Sequence, residues 1–240
     1  MSTYEPPLPP EQQPPSDGYG APPPPPPPPA PPQGGGGYSA GTAWSFGWNK
    51  FTGNLGSIVI AVLVLVAVQV VVQVVSYFVG DSLILRWVIS LAGWVLSMII
   101  GAGLVRAALD ITEGRELDPK TLLTPNKLGE VIVASLLISV ATFVGLILCV
   151  IPGLLVAFFT SFTLYFLMDR QELGAIDAIK ASFEFTKNNA GNVIVWFLLC
   201  LATYIVGFLL CGVGLIAAIP VILIGTAYTY KTLNGQAVAA

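Results

Sequence analysis

Few side chains in this chain have the type and spacing to do chemistry. Gln69, Gln73 and Ser76 fall at i, i+4 and i+7 of a Val-rich stretch, which makes one polar stripe on a helix. In a membrane such a stripe turns toward other helices, where its amides either hydrogen-bond across an interface or line a path for a polar ligand. Gly93, Ser97 and Gly101 at i, i+4 and i+8 make a ridge of small residues. That pattern brings two helices into close contact, within one protomer or across a homo-oligomer. Asp110, Glu113, Glu116 and Asp118 alternate with Arg106, Arg115 and Lys120. Mixed charge at this density reads as a solvated loop in preference to a metal site. Cys149 and Cys211 lie near two hairpin tips at nearly equivalent positions. They could form a disulfide on an oxidising side of a membrane, or sit as small thiols among packed helices.

The chemistry that is missing is as informative. The chain has no His, and therefore lacks the commonest general base and metal ligand. Its three Cys have no metal-ligand spacing, and no nucleophile elbow, P-loop or HExxH motif occurs. We therefore expect no enzyme activity, no cofactor and no metal. No basic block marks a nucleic-acid footprint. Every charge lies at or beyond the end of an apolar run, which argues against ion-coupled transport but leaves lipid or small-solute handling open.

The elements that would position these residues are membrane helices. Only 10% of residues are charged and 55% are hydrophobic, where a soluble domain carries about 25% charged residues. The 38 residues from Val131 to Met168 contain no charge. As a single helix they would measure about 57 Å, roughly twice the hydrocarbon thickness. They must fold back on themselves, and Ile151-Pro152-Gly153 provides the turn. The same reading gives six spans: 57–79, 87–105, 131–148, 153–168, and a pair split near Cys211-Gly212-Val213-Gly214 within the uncharged run between Lys187 and Lys231. Pro152 opens a span, where its missing N–H is harmless, whereas Pro220 falls inside one and predicts a kink. The fold class is thus an all-α integral membrane protein of six transmembrane helices in three hairpins.

The hairpins repeat. Asn and Gly precede each odd span, at Asn54-Leu55-Gly56, Asn126-Lys127-Leu128-Gly129 and Asn189-Ala190-Gly191. Ser45-Phe46 and Ser182-Phe183 stand upstream of the first and third. Even spans end on Leu109-Asp110, Met168-Asp169 and Tyr230-Lys231. Short amphipathic lead-ins come before the hairpins. Trp44, Trp48 and Phe51 share one face, as do Ile176, Ile179 and Phe183, and Asp118-Pro119 starts a short helix to Thr124. Such helices lie at the headgroup level or pack on the ends of the bundle.

Three regions follow: a tail at 1–43, a six-helix body at 44–235 and a short C-terminal tail at 236–240. Sixteen of the twenty prolines fall in the first 32 residues, and Gly34 to Gly37 follow. Pro lacks an N–H and fixes φ, so this segment is expected to be disordered, with local polyproline II. It reads as a solvating tail or as a ligand for an aromatic-lined groove on a cytoplasmic partner protein.

Residues 151–191 also carry a pattern. Ile151-Pro152-Gly153 opens a span, Asp169 closes it, and Ala178, Ser182, Lys187 and Gly191 lead into the next. This resembles the membrane domain that precedes some glycerophosphodiester phosphodiesterases. With its tail, the chain resembles uncharacterised proline- and glycine-rich transmembrane proteins of actinobacteria. The resemblance implies helical hairpins and a bacterial inner membrane. It carries over no enzyme activity, because no residues are left over to build the catalytic barrel.

Of the ten Lys and Arg, only Arg86 falls on the opposite side of a six-span body from the other nine. Basic residues are retained on the cytoplasmic side. Both termini are therefore expected in the cytoplasm and the hairpin tips outside. A reporter fused to either end should be active only in the cytoplasm, and activity outside would invert the topology.

Overall fold

In hydrocarbon an apolar run can satisfy its backbone internally only as a helix or a closed barrel. The structure, a computed structural model, describes residues 37–78, 82–115, 127–210 and 212–239, without the side chains of residues 57 and 61, and these residues form helices and connecting turns with no strand. The elements are α1 (Ala40–Gly53), α2 (Leu55–Phe78), α3 (Leu83–Thr112), α4 (Leu128–Leu148), α5 (Val150–Phe159), α6 (Thr163–Asp169), α7 (Ala175–Asn188), α8 (Ala190–Leu209) and α9 (Leu215–Leu233). Six segments are long and apolar enough to cross a membrane, among them Val150–Asp169, which joins α5 and α6. The Pro-rich tail, the middle lead-in at Asp118-Pro119 and Cys211 lie outside the described residues.

Each hairpin is drawn together by a glycine where side chains would hold the helices apart. A Cβ at Gly93 of α3 would sit 2.7 Å from the Val72 side chain of α2. One at Gly145 of α4 would sit 2.8 Å from the Gly153 Cα of α5. One at Gly214 would sit 2.8 Å from the Gly207 Cα of α8. All are closer than a Cβ is ever found to a neighbouring carbon, so a larger residue must part the pair.

The fourth span is two helices. The backbone turns at Thr160–Phe162, and Ser182 of α7 mends the break. Its Oγ donates to the Phe159 carbonyl at 2.9 Å and accepts from the Phe162 N–H at 3.1 Å. Both groups would otherwise be unpaired inside the bundle, at a cost of about 1–3 kcal/mol each. The next turn is pinned from α4. Glu130 accepts from the Ala175 N–H at 2.6 Å, which also places a carboxylate at the positive end of α7. Lys127 donates to the Leu173 carbonyl at 2.6 Å.

The two described lead-ins pack into the bundle. Helix α7 lies against α6, and α1 lies against α9. The first lead-in thus reaches the last span, which closes the row of hairpins toward a ring. A Cβ at Gly47 would collide with the Val221 carbonyl, and one at Gly225 would sit 3.0 Å from the Ala43 carbonyl. Tyr38 meets Thr229 at 3.0 Å. Burial pushes the Tyr38 phenol up from 10 to about 12, with the Thr229 bond acting against the shift. The contact is therefore insensitive to pH below about 10, and weakens folding above it, where the tyrosine of the unfolded chain ionises first. An aromatic cluster of Phe162, Phe166, Phe185 and Tyr230 fills the space between α6, α7 and α9, with Phe166 and Tyr230 edge-to-face at 4.9 Å.

Gly47→Val should force α1 off α9. We expect a loss of about 1–3 kcal/mol, read as a lower melting temperature in detergent, while Gly53→Val, which has open space around it, should leave the melt within error. Equal melts for the two variants would show that α1 is not wedged.

Candidate functional site

Helix α3 runs on to Thr112, well past the boundary expected at residue 105. Arg106 and Asp110 are therefore helical, and the charges read as a solvated loop are in part buried. The physical reason is pairing. Arg106 and Asp110 stand one turn apart and meet at 3.3 Å. Arg115 turns back to the same Asp110 oxygen at 2.6 Å and also pairs with Glu113. Charges neutralised in this way can continue a helix that a hydropathy pattern ends. Glu116, Asp118 and Lys120 lie outside the described residues.

The same end of the bundle receives the ends of the other two even spans. Lys231 of α9 is only 4% exposed. Its ammonium donates to Glu113 at 2.5 Å, to Asp169 at 3.3 Å and to the Gln236 side-chain carbonyl at 3.2 Å. Asp169 accepts further bonds from the Tyr230 hydroxyl at 2.8 Å and the Gln236 amide at 3.0 Å. Arg106 donates to the Met168 carbonyl at 3.2 Å. Asp110, Asp169 and Lys231, which close the three repeats in the sequence, thus share one cluster of three acids and three bases. The chain after α9 covers it. Gly235 takes a left-handed turn (φ 70°), Gln236 joins the cluster, and the Ala239 N–H bonds the Thr112 carbonyl at 2.8 Å. Among the described residues no group of three or more His, Cys, Asp or Glu is arranged to hold a metal. Chemically, the cluster cross-links three helix ends.

The polar stripe and the small-residue ridge meet in the first hairpin. Gln69 donates to the Ser97 hydroxyl at 2.5 Å, and Ser97 donates to the Gly93 carbonyl at 2.8 Å. The amide of Gln69 is thus an interhelical bond, of a kind worth about 0.6–2 kcal/mol. Ser76 bonds the Val72 carbonyl of its own helix at 2.7 Å, and Gln73 is exposed on the outer side of α2. The ridge works at Gly93 and Ser97; a side chain at Gly101 would meet no described atom within 4 Å. Cys149 is an exposed free thiol and Cys200 a buried one.

Among the described residues, two sizeable apolar spaces lie between helices. One, of about 320 Å³, is bounded by α3, α6, α8 and α9. Two of the polar groups around it are engaged, Tyr165 with the Leu223 carbonyl at 3.1 Å and Trp196 with Thr226 at 3.1 Å. The other is a groove of about 480 Å³ between α1, α8 and α9, lined by Trp44, Trp48 and small or aliphatic residues. Neither was legible in the sequence, because each needs three or more elements in place.

Three curated mycobacterial proteins are similar to this chain. They are the uncharacterised proteins Rv2560 and MT2637 of Mycobacterium tuberculosis and Mb2590 of Mycobacterium bovis, each 35% identical, over 82% of this chain and 69% of theirs. The chain belongs to this family. No protein-family model and no solved structure matches it.

The ion cluster predicts a non-additive response. Lys231→Met or Asp169→Leu alone should each cost about 3–5 kcal/mol, because either strands buried charge. The double variant should recover much of that loss in unfolding midpoints measured in mixed micelles. Simple addition of the two losses would mean that Lys231 and Asp169 act separately.

Proposed function

We propose that this chain is a non-enzymatic, multi-pass protein of a bacterial plasma membrane. Its body would hold the Pro-rich tail in the cytoplasm as an interaction element for a cytoplasmic protein partner. The observation that carries this reading is the docking of α1. The helix that follows the tail in sequence is seated on α9 through backbone contact at Gly47 and Gly225, supported by the Tyr38–Thr229 bond. A partner engaging the tail would therefore pull on the body itself. The nine-to-one distribution of basic residues supports cytoplasmic termini. The Ile151-Pro152-Gly153 to Gly191 pattern supports kinship with the membrane domain of glycerophosphodiester phosphodiesterases. A second reading, lipid or small-solute handling by the body without ion coupling, is favoured by the two dry spaces and by an ion cluster whose charges are mutually satisfied.

The test is a crosslinked pull-down from native membranes that compares the full chain with a deletion of residues 1–36, which spares Tyr38. The tail reading expects one set of cytoplasmic proteins that is lost on deletion. Identical recoveries would overturn it. Gln69→Leu with Gln73→Leu should leave that recovery unchanged.

A further inference from the structure

We propose that the groove between α1, α8 and α9 binds one hydrocarbon chain of a bilayer lipid, an inference that rests on the lipid-handling reading and gives it a site. The walls come from different elements. Trp44 and Trp48 of α1 stack in parallel, 5.7 Å apart, along one side. Residues of α8 from Leu199 to Gly207, with Leu210 just past its end, form another side, and Gly214 with Ala217, Ala218 and Val221 of α9 the third. Where α8 and α9 meet, Gly207 and Gly214 are in backbone contact and Ala218 adds only a methyl group, so the floor is low. Helix α1 is only 14 residues long and covers this seam over part of its length. The groove runs beside it, between its Trp44–Trp48 edge and α8. Along α8 it extends about 16 Å, parallel to a span axis, which is how a lipid chain already lies in a bilayer.

The occupant follows from the lining and the surroundings. A resident water needs two to four polar partners. Besides the Trp48 indole N–H, a single donor, the groove offers the Thr203 hydroxyl, which already accepts from the Trp44 indole N–H at 3.1 Å and donates to the Leu199 carbonyl at 2.8 Å. A polar solute would meet the same dry wall. Both α8 and α9 are long and apolar enough to cross the membrane, so the phase outside the groove is hydrocarbon. The volume, about 480 Å³, falls within the range of built small-molecule sites. The exposed face of α3 around Leu91, Ala92 and Val95 provides the contrast, because there a single helix supplies every wall.

The test is native mass spectrometry of the full chain released from membranes in mild detergent, together with transfer of a pyrene-labelled phospholipid between vesicles. We expect one retained lipid per chain. Ala202→Phe or Val206→Trp, at exposed groove positions, should remove that adduct while leaving the melting temperature unchanged. Ala92→Phe on α3 should keep it. An adduct that survives both groove fillings would overturn the proposal. So would a wild-type chain without lipid, or a retained mass equal to a second copy of the chain that the fillings remove. Retention lost on filling, without any vesicle transfer, would uphold the groove and sink the handling reading. Transfer that is unchanged by filling would do the reverse.

Discussion

Lys231 must find carboxylates, and much of the arrangement at its end of the bundle follows from that need. An ammonium that is 4% exposed inside a helix has lost most of its hydration, at a cost of several kcal/mol. One counter-charge, Asp169, comes from the end of α6 and the other, Glu113, from the end of α3. Neither helix end can move away without stranding a charge, so three even spans that are far apart in sequence are tied at one level. Tyr230 and Gln236 take up remaining capacity of Asp169, and Arg115 links Glu113 to Asp110. The lock is a network in which each acid has a base, the condition under which buried ion pairs are tolerated.

Away from this end the helices are held differently. Near their tips the hairpins rely on dispersion between closely approaching backbones, at Gly145 with Gly153 and at Gly207 with Gly214, and at Gly93 against Val72. That is the packing expected in lipid, where the hydrophobic effect gives helices no reason to associate. Between the two regimes sit the lead-ins. Helix α7 repairs the α5–α6 break through Ser182, and α1 performs the corresponding packing on α9. Ser45, the counterpart of Ser182 in the sequence repeat, donates instead to the Thr42 carbonyl of its own helix at 3.0 Å. The repeat thus conserves where a lead-in packs while changing what it does there.

Much of this was legible in the chain itself. Uncharged runs locate the hairpins by length against bilayer thickness, but the bend falls at Cys149 and Ile151-Pro152-Gly153, expected as the turn, lies in the first turn of α5, where the missing Pro152 N–H costs no helical bond. The recurrence of Leu109-Asp110, Met168-Asp169 and Tyr230-Lys231 already marked equivalent positions. Their convergence was not legible, since spacing along a chain says nothing about which helix ends meet. The length of α3 was underestimated because hydropathy stops at Arg106, whereas the helix continues once Arg106 is paired with Asp110. The break at Thr160–Phe162 contains neither Pro nor Gly. The group that satisfies it, a hydroxyl twenty residues away on α7, is a tertiary fact. Gln69 and Ser97 were each visible as a pattern, but only the register of the α2–α3 hairpin makes them partners.

These constraints also bear on what the body could exchange. A site that moves ions needs a charged group able to change partners, and in the cluster Lys231, Asp169, Glu113 and Asp110 hold one another while the chain around Gln236 lies across them. Freeing any one would leave another buried without compensation. The seam beside α1 is the opposite case. Its contacts are apolar and non-directional, Thr203 and Trp44 satisfy each other, and a chain entering it displaces only hydrocarbon like itself. Exchange there costs little, whereas exchange at the ion cluster costs several kcal/mol. Any traffic through this body is therefore expected along its dry seams, with the charged end serving as the fixed frame that ties α3, α6 and α9 together.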